Sequence, residues 1–426
     1  MIRVRAIPFF NTITRHSREG TVGINVILRS PNPLMLYPTN QIYKAKQLRE
    51  YSVNYLTKKK SKMSTGSSNY SRKYKAAVVG SGNWGTAVAK LVAENCAEKN
   101  ELFEKEVKMW VFEEKIDGKN LTEIINTEHE NVKYLPDIKL PENLVANPDL
   151  RDVVMDADII VINIPHQFLR NICKQLADID FSKKYAISCL KGLNISPKGP
   201  ELLSDYIVEH LGLHCGVLSG ANIASEVAKE KWCETTVAFP PHPEFKEGDP
   251  DALLMRELFE RPYFHVQVSE DTAGVSIGGA LKNVIAIGAG IVEGAGWGDN
   301  AKSGIMRHGI VEMVKFGKTF FPTFKARTIC YESAGVADLI TTCSAGRNVK
   351  VAREAIRQNR PIEEIEKELL NGQSAQGVIT MDEVHELLTN QNIYHEFPLM
   401  AAIYKVIREG LPVEGLVQQL LEARDD

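Results

Sequence analysis

A parallel, doubly wound α/β sheet followed by an all-α domain is the fold class this sequence predicts, and three observations carry it. A glycine-rich turn, Gly80-Ser81-Gly82-Asn83-Trp84-Gly85, joins a short apolar run to a helical pattern. Strand-like apolar runs recur after it, each ending in a polar or glycine-containing cluster. From about Glu270 these runs give way to long amphipathic patterns.

The first strand is Ala76 to Val79, and the helix behind the turn is signalled by Trp84, Val88, Leu91 and Val92 at helical spacing. Between strand and helix each glycine has a task. Gly80 permits the tight turn, Gly82 lets a pyrophosphate approach the backbone, and Gly85 lets helix and strand pack closely. The phosphates would rest on free N–H groups at the helix N-terminus, as in a Rossmann-type dinucleotide domain, here residues 73–268. The plainer alternative is a glycine-rich turn of any α/β protein.

The second strand, Val107 to Phe112, runs into Glu113 and Glu114. A carboxylate there accepts hydrogen bonds from an adenosine ribose diol and repels a 2′-phosphate, which favours NAD over NADP. Glu113 lies further from the glycines than the usual ~20 residues, so Glu94 to Glu106 must form a longer helix and connection. Otherwise the two glutamates belong to a solvated loop. Three more strands come next: Asp158 to Ile164, Tyr185 to Leu190, and Cys215 to Leu218. They end in Pro165-His166-Gln167-Phe168, Lys191-Gly192 and Ser219-Gly220-Ala221-Asn222, clusters expected to line one crevice with the Gly80 turn. Phe168 is either core packing or a cofactor wall.

The all-helical half, residues 269–426, is read from Val275 to Ile291, Ile305 to Phe316, Thr328 to Thr342 and Val349 to Gln358. Ile362, Ile365 and Leu369, then Leu399, Ile403 and Val406, continue the same spacing. Lys282-Asn283 sits inside an apolar helix, where a lysine is expensive to bury unless paired, and Asp338 sits in equally apolar surroundings. The two are natural partners. Arg347-Asn348 opens the helix Val349 to Gln358, so a guanidinium and backbone N–H groups would converge on an anion, specifically a phosphate. The competing account is an internal Lys–Asp bridge with an arginine capping a neighbouring helix.

Composition fits a globular chain of 426 residues with a net charge of −3. Seven cysteines, scattered and never in C-x-x-C spacing, point to reduced thiols inside the cell and offer no thiol zinc site. No H-E-x-x-H or other metal cluster is evident, and no apolar run reaches the ~18 residues of a membrane helix. Residues 1–72 carry thirteen Lys or Arg against Glu19 and Glu50, leaving −14 for the remainder. This basic leader reads as an organelle address, a surface-binding arm, or an extension upstream of a working start at Met63; the dispersed basic residues argue against nucleic acid.

Eight motifs stand in order: Gly-Ser-Gly-Asn-Trp-Gly, Pro-His-Gln-Phe, Leu190-Lys191-Gly192, Gly220 to Val227, Ala280-Leu281-Lys282-Asn283, Gly335 to Thr342, Gly346-Arg347-Asn348 and Asn371-Gly372-Gln373. With them the chain, from about Tyr74 onward, closely resembles the NAD-dependent glycerol-3-phosphate dehydrogenases of the eukaryotic cytosolic type. The resemblance implies a Rossmann-type domain, an all-helical substrate domain, a cytoplasmic homodimer, and interconversion of sn-glycerol 3-phosphate and dihydroxyacetone phosphate. Carried over by motif, the cofactor residues are Gly80, Ser81, Gly82, Asn83, Trp84, Gly85, Phe112, Phe168, Ala224, Arg347 and Gln376. Lys191, Asn283, Thr342, Arg347 and Asn348 fall to the substrate, and Lys282, Lys191 and Asp338 to catalysis, with Lys282 the family's proton donor and acceptor. Ser344-Ala345 and the Ser-Ala middle of the Gln373 to Gln376 loop depart slightly from the family pattern. Two other readings compete: a 6-phosphogluconate or hydroxyacid dehydrogenase, which the Arg347-Asn348 pair and the Asp338 cluster argue against, and a non-catalytic NADH-binding regulator, which would have no need for a buried lysine pair.

Overall fold

The computed structural model describes residues 70, 72–196, 199–240, 246, 248–370 and 375–422. The expectations for the leader, and the Asn371-Gly372-Gln373 motif, lie outside the described residues. The sheet strands are β1 (Ala76–Val79), β2 (Val107–Trp110), β3 (Leu144–Asn147), β4 (Ile159–Ile162), β5 (Tyr185–Ser188), β6 (His214–Ser219), β7 (Cys233–Ala238) and β8 (Phe264–Ser269). Their spatial order is β8-β7-β6-β5-β4-β1-β2-β3. Pairing is parallel throughout except between β6 and β7, where Val217 faces Ala238 in an antiparallel register. Every residue of β1 and β4 is buried, as in strands covered on both faces. The order reverses beside β1, which puts the crevice of a doubly wound sheet at the carboxyl ends of β1 and β4.

Helix α1 (Asn83–Glu98) buries Val88, Leu91 and Val92 against this sheet. The long connection before β2 is absorbed as expected, by a helix that runs to Glu98 and a turn behind it. Beyond β8 the strands stop and α2 (Thr272–Gly294) begins, capped by Asp271, whose carboxylate accepts from the Gly274 and Lys325 N–H groups and the Thr328 hydroxyl. α2 reaches a mean hydropathy of 1.7 over its most apolar window, long and apolar enough to cross a membrane by length and composition alone. Its residues are instead 94% buried in that window, enclosed by α3 (Gly298–Phe320), α4 (Asp338–Ala345), α5 (Arg347–Gln358) and α6 (Gln376–Asn390). The expectation that no apolar run reaches the length of a span is thus corrected: this one does, and it is the central helix of the helical half, interrupted chemically by Lys282.

The stretch Thr328 to Thr342 is not one helix. Glu332 adopts extended backbone and breaks it into Ala326–Tyr331, a π-helical turn Ser333–Ala337, and α4. Tertiary contacts hold that break. The Ser333 hydroxyl donates to the Glu234 carbonyl at 2.7 Å and accepts from the Ala221 N–H at 3.2 Å, tying the turn to the sheet. A Cβ at Gly278 of α2 would lie 2.2 Å from the Ala334 carbonyl oxygen, so glycine alone allows this approach. The result fixes Asp338, the first residue of α4, opposite Lys282.

Candidate functional site

The glycine turn behaves as three different glycines. Gly80 has φ +113, in the region that favours glycine, and a Cβ there would meet the Asn163 carbonyl oxygen at 2.2 Å. A Cβ at Gly85 would lie 2.2 Å from the Gly80 carbonyl oxygen. Gly82 has ordinary extended backbone and nothing within 4 Å, so the protein itself does not require glycine there. The open space leaves room for a ligand against the backbone, and a phosphate fits: α1 starts without a capping side chain or an acid in its first turn, leaving its positive end open to an anion. Beside the turn, the Asn163 Nδ2 at the end of β4 is buried without a hydrogen-bond partner. Phe112 and Phe168, at the ends of β2 and β4, expose 70% and 53% of their surface, as flat walls awaiting a planar ligand would. These residues fit a dinucleotide.

Not every residue assigned to the cofactor faces this crevice. The Trp84 indole packs into the core beside α1, its ring 6.4 Å from that of Phe264, so only its backbone belongs to the helix N-terminus. Ser81 is buried, and its carbonyl accepts from Thr86 Oγ1 and Asn131 Nδ2, each at 2.9 Å. Asn83 is exposed at the turn, and Ala224 is half-buried at the start of Ala224–Ala228. The reading of Glu113 and Glu114 as ribose acceptors needs correction. Glu113 accepts from the Thr122 N–H at 3.3 Å and the Thr122 hydroxyl at 2.5 Å, fastening the helix Leu121–Glu128. Glu114 pairs with Lys133 and accepts from Tyr134 at 2.8 Å. Internal partners therefore take up both carboxylates, and Lys133 neutralises one of them.

Across the crevice, Lys191, Lys282, Asn283, Asp338, Thr342, Arg347, Asn348 and Gln376 line a single cavity of about 390 Å³. The Asp338 carboxylate is the pivot. Its Oδ1 forms an ion pair with Lys282 and lies 3.5 Å from the Thr342 hydroxyl, while its Oδ2 faces Lys191 Nζ at 3.6 Å and accepts no hydrogen bond. Burial pushes the Lys282 ammonium down to about 7; Lys191 adds to the shift and Asp338 opposes it. Lys191 is the more exposed of the two lysines, at 35% of its side chain against 4%. The two asparagines form an internal chain: Asn283 donates to the Gly279 carbonyl, Asn348 donates to Asn283 Oδ1, and the Gly377 N–H donates to Asn348 Oδ1. They hold α2, α5 and α6 in register, and what they can still offer a ligand is their remaining N–H.

α5 comes close enough to bring Arg347 to the rim because Gly290 and Gly294 leave room. A Cβ at Gly290 would lie 2.6 Å from the Val349 carbonyl oxygen. Asn222, expected from the sequence at the crevice, lines the cavity, as do Ile223 and Thr341, to which the sequence reading gives no individual role. Asn222 Oδ1 is buried and unpartnered, a signal that only a folded structure gives. With Lys191, Lys282 and Arg347 set against Asp338 alone, the lining is richer in basic than in acidic side chains, which suits an anion.

Residues 75–244 match the family model for the NAD-dependent glycerol-3-phosphate dehydrogenase N-terminus, and residues 271–418 match that for its C-terminus. The chain is 60% identical to glycerol-3-phosphate dehydrogenase [NAD(+)] 2 of Candida albicans over 357 residues, 82% of this chain and 96% of that one. To glycerol-3-phosphate dehydrogenase [NAD(+)] 1 of Yarrowia lipolytica it is 58% identical, covering 82% and 89%. Among solved structures, the Saccharomyces cerevisiae glycerol-3-phosphate dehydrogenase superposes with a TM-score of 0.79 at 57% identity, over 82% of this chain and 99% of that one. The Plasmodium falciparum enzyme gives 0.77 at 36% identity, over 83% and 97%. By both family models and by its identity to these relatives, this chain belongs to the NAD-dependent glycerol-3-phosphate dehydrogenases.

Proposed function

We propose that this protein interconverts sn-glycerol 3-phosphate and dihydroxyacetone phosphate, and the observation that carries the reading is the single cavity lined by Lys191, Lys282, Asp338 and Arg347. NAD, when bound, takes or supplies the hydride. The chain's own task is to handle the proton and the phosphate. Lys282 stands at the reacting oxygen: charged, it protonates the alkoxide that develops as a ketone is reduced; neutral, it accepts the proton when the alcohol is oxidised. A group near pH 7 serves both directions, and burial beside Lys191 brings Lys282 there. Asp338 orients Lys282 through their ion pair. Arg347, with the Thr342 hydroxyl and the remaining Asn348 N–H, holds the phosphate, so that its binding energy aligns the reacting carbon. Domain limits at 72 and 268, a homodimer, and a cytoplasmic location, with an organelle address possible in residues 1–62, complete the proposal. The test is NADH absorbance with dihydroxyacetone phosphate: turnover supports the reading, and no turnover with that substrate alongside turnover of a phosphorylated hydroxyacid defeats it.

A further inference from the structure

We propose that His166 is a positioning residue of this site, a latch that holds Gln376 and the start of α6 against the Lys191-Gly192 turn. His166 opens the 3₁₀ turn His166–Phe168 beyond β4, and nothing in the chemistry above uses it. Its Nδ1 lies 3.3 Å from Gln376 Nε2. An amide nitrogen only donates, so Nδ1 is the acceptor and the neutral ring carries its proton on Nε2. That second nitrogen faces Glu383 Oε1 at 3.9 Å. Gln376 and Glu383 both belong to α6, two turns apart, so one ring addresses the helix at two points. The turn that bears Lys191 lies beside the same Nδ1 edge: a Cβ at Gly192 would lie 3.3 Å from Nδ1 and 3.5 Å from Cγ of the ring.

Packing alone does not fix this ring. His166 also lines a second cavity, of about 480 Å³, together with Arg170, Asn194, Glu383 and Glu386, so on that side no side chain presses it into place. The hydrogen bond to Gln376 does that work. Burial pushes the His166 imidazole below its usual range, which keeps the Nδ1 lone pair available as an acceptor at neutral pH. Gln376 in turn lines the substrate cavity, and the next residue, Gly377, is bound by Asn348. Releasing His166 therefore loosens the wall that closes on the ligand without touching the proton-transfer group.

The proposal rests on the reaction above only for its kinetic readout. Full-length protein is assayed with NADH and dihydroxyacetone phosphate, alongside fluorescence titration of NADH and thermal melting. His166→Phe keeps the ring and removes the acceptor. KM for dihydroxyacetone phosphate and Kd for NADH are expected to rise about 3- to 10-fold, the net worth of one hydrogen bond, with kcat and Tm nearly unchanged. His166→Asn, whose Oδ1 falls close to the lost Nδ1, restores both constants. In a Gln376→Ala background, His166→Phe adds nothing further. Unchanged constants in His166→Phe, no rescue by asparagine, or additive losses in the double variant overturn the latch. If phenylalanine prevents folding, His166→Ala against His166→Asn provides the same contrast. If the wild-type chain does not turn over dihydroxyacetone phosphate, the proposed reaction fails, and the double-mutant cycle on NADH binding still decides the latch.

Discussion

On one side of the crevice, the turn Gly80 to Gly85 presents backbone from consecutive residues; in the substrate cavity, Lys191 from the end of β5 and Lys282, Asp338 and Arg347 from three helices are side chains brought together from four separate segments. The first surface can be made by a short stretch of chain with the right glycines. The second exists only once α2, α4 and α5 have packed, because Asp338 reaches Lys282 through a broken helix and Arg347 reaches the rim through a glycine-lined approach. Local construction suits a group common to many enzymes, a pyrophosphate. Long-range construction suits a demand peculiar to one reaction, a buried ammonium held near neutrality.

The comparison is tested most severely at Lys282. Lys282→Met should lower kcat by about 10²–10⁴ while NADH binding survives, since the side chain acts on the reacting oxygen alone. Near-normal kcat would hand the proton to Lys191 or to water. The same residue sets a pH signature. Ketone reduction needs the charged amine, present below a pKa of about 7 and lost as pH rises through it, so kcat for reduction should fall in that window while alcohol oxidation rises.

Arg347→Ala comes next. Removing one side of a desolvated charge pair costs about 2–5 kcal/mol, hence roughly 30- to 5,000-fold in kcat/KM for dihydroxyacetone phosphate. Unphosphorylated dihydroxyacetone should change far less, and Arg347→Lys should rescue only in part, because a point charge does not reproduce the guanidinium fork. Equal losses for both substrates would assign the arginine to the fold or the cofactor.

Gly82→Ala separates binding from folding on the backbone side. With ordinary φ and nothing within 4 Å, the added methyl leaves Tm unchanged, yet it stands where the phosphates approach. NADH should bind about 10- to 150-fold more weakly, the worth of 1.5–3 kcal/mol in charge-assisted hydrogen bonds. Gly80→Ala, at φ +113, should instead destabilise the fold. Matching outcomes for the two glycines would erase the distinction between them.

The smallest effect is expected at Glu113→Gln. Its carboxylate is already engaged by Thr122, so the NADH to NADPH preference should move by no more than about threefold, as for a surface change. A larger shift would return Glu113 to the ribose.

Legibility in the sequence divides along the same line. The steric need for glycine at Gly80 and Gly85 is readable because it falls on neighbouring residues, and the Lys282–Asp338 pair because a charge inside an apolar helix demands a partner. Glu113 is misread because its partner, Thr122, lies across the short hairpin Lys115 to Asn120, which carries no strong pattern. The break at Glu332 is invisible because Thr328 to Thr342 keeps helical spacing, and only contacts from Ser333 to the sheet override it. β3, β7 and β8 escape notice for a related reason: polar residues such as Asn147, Glu234 and Gln267 break up their apolar runs, and pairing with neighbouring strands gives them their identity.

The burial of α2 has a further consequence, for how the chain is made. Most of its cover comes from segments synthesised after it, down to Ile403, whose side chain lies against Gly288. At about 5–20 residues per second a ribosome takes on the order of ten seconds to produce that cover. During that interval the cell holds a segment with the hydropathy of a membrane anchor and nowhere to put it. Lys282, halfway along, raises the cost of placing that segment in a bilayer.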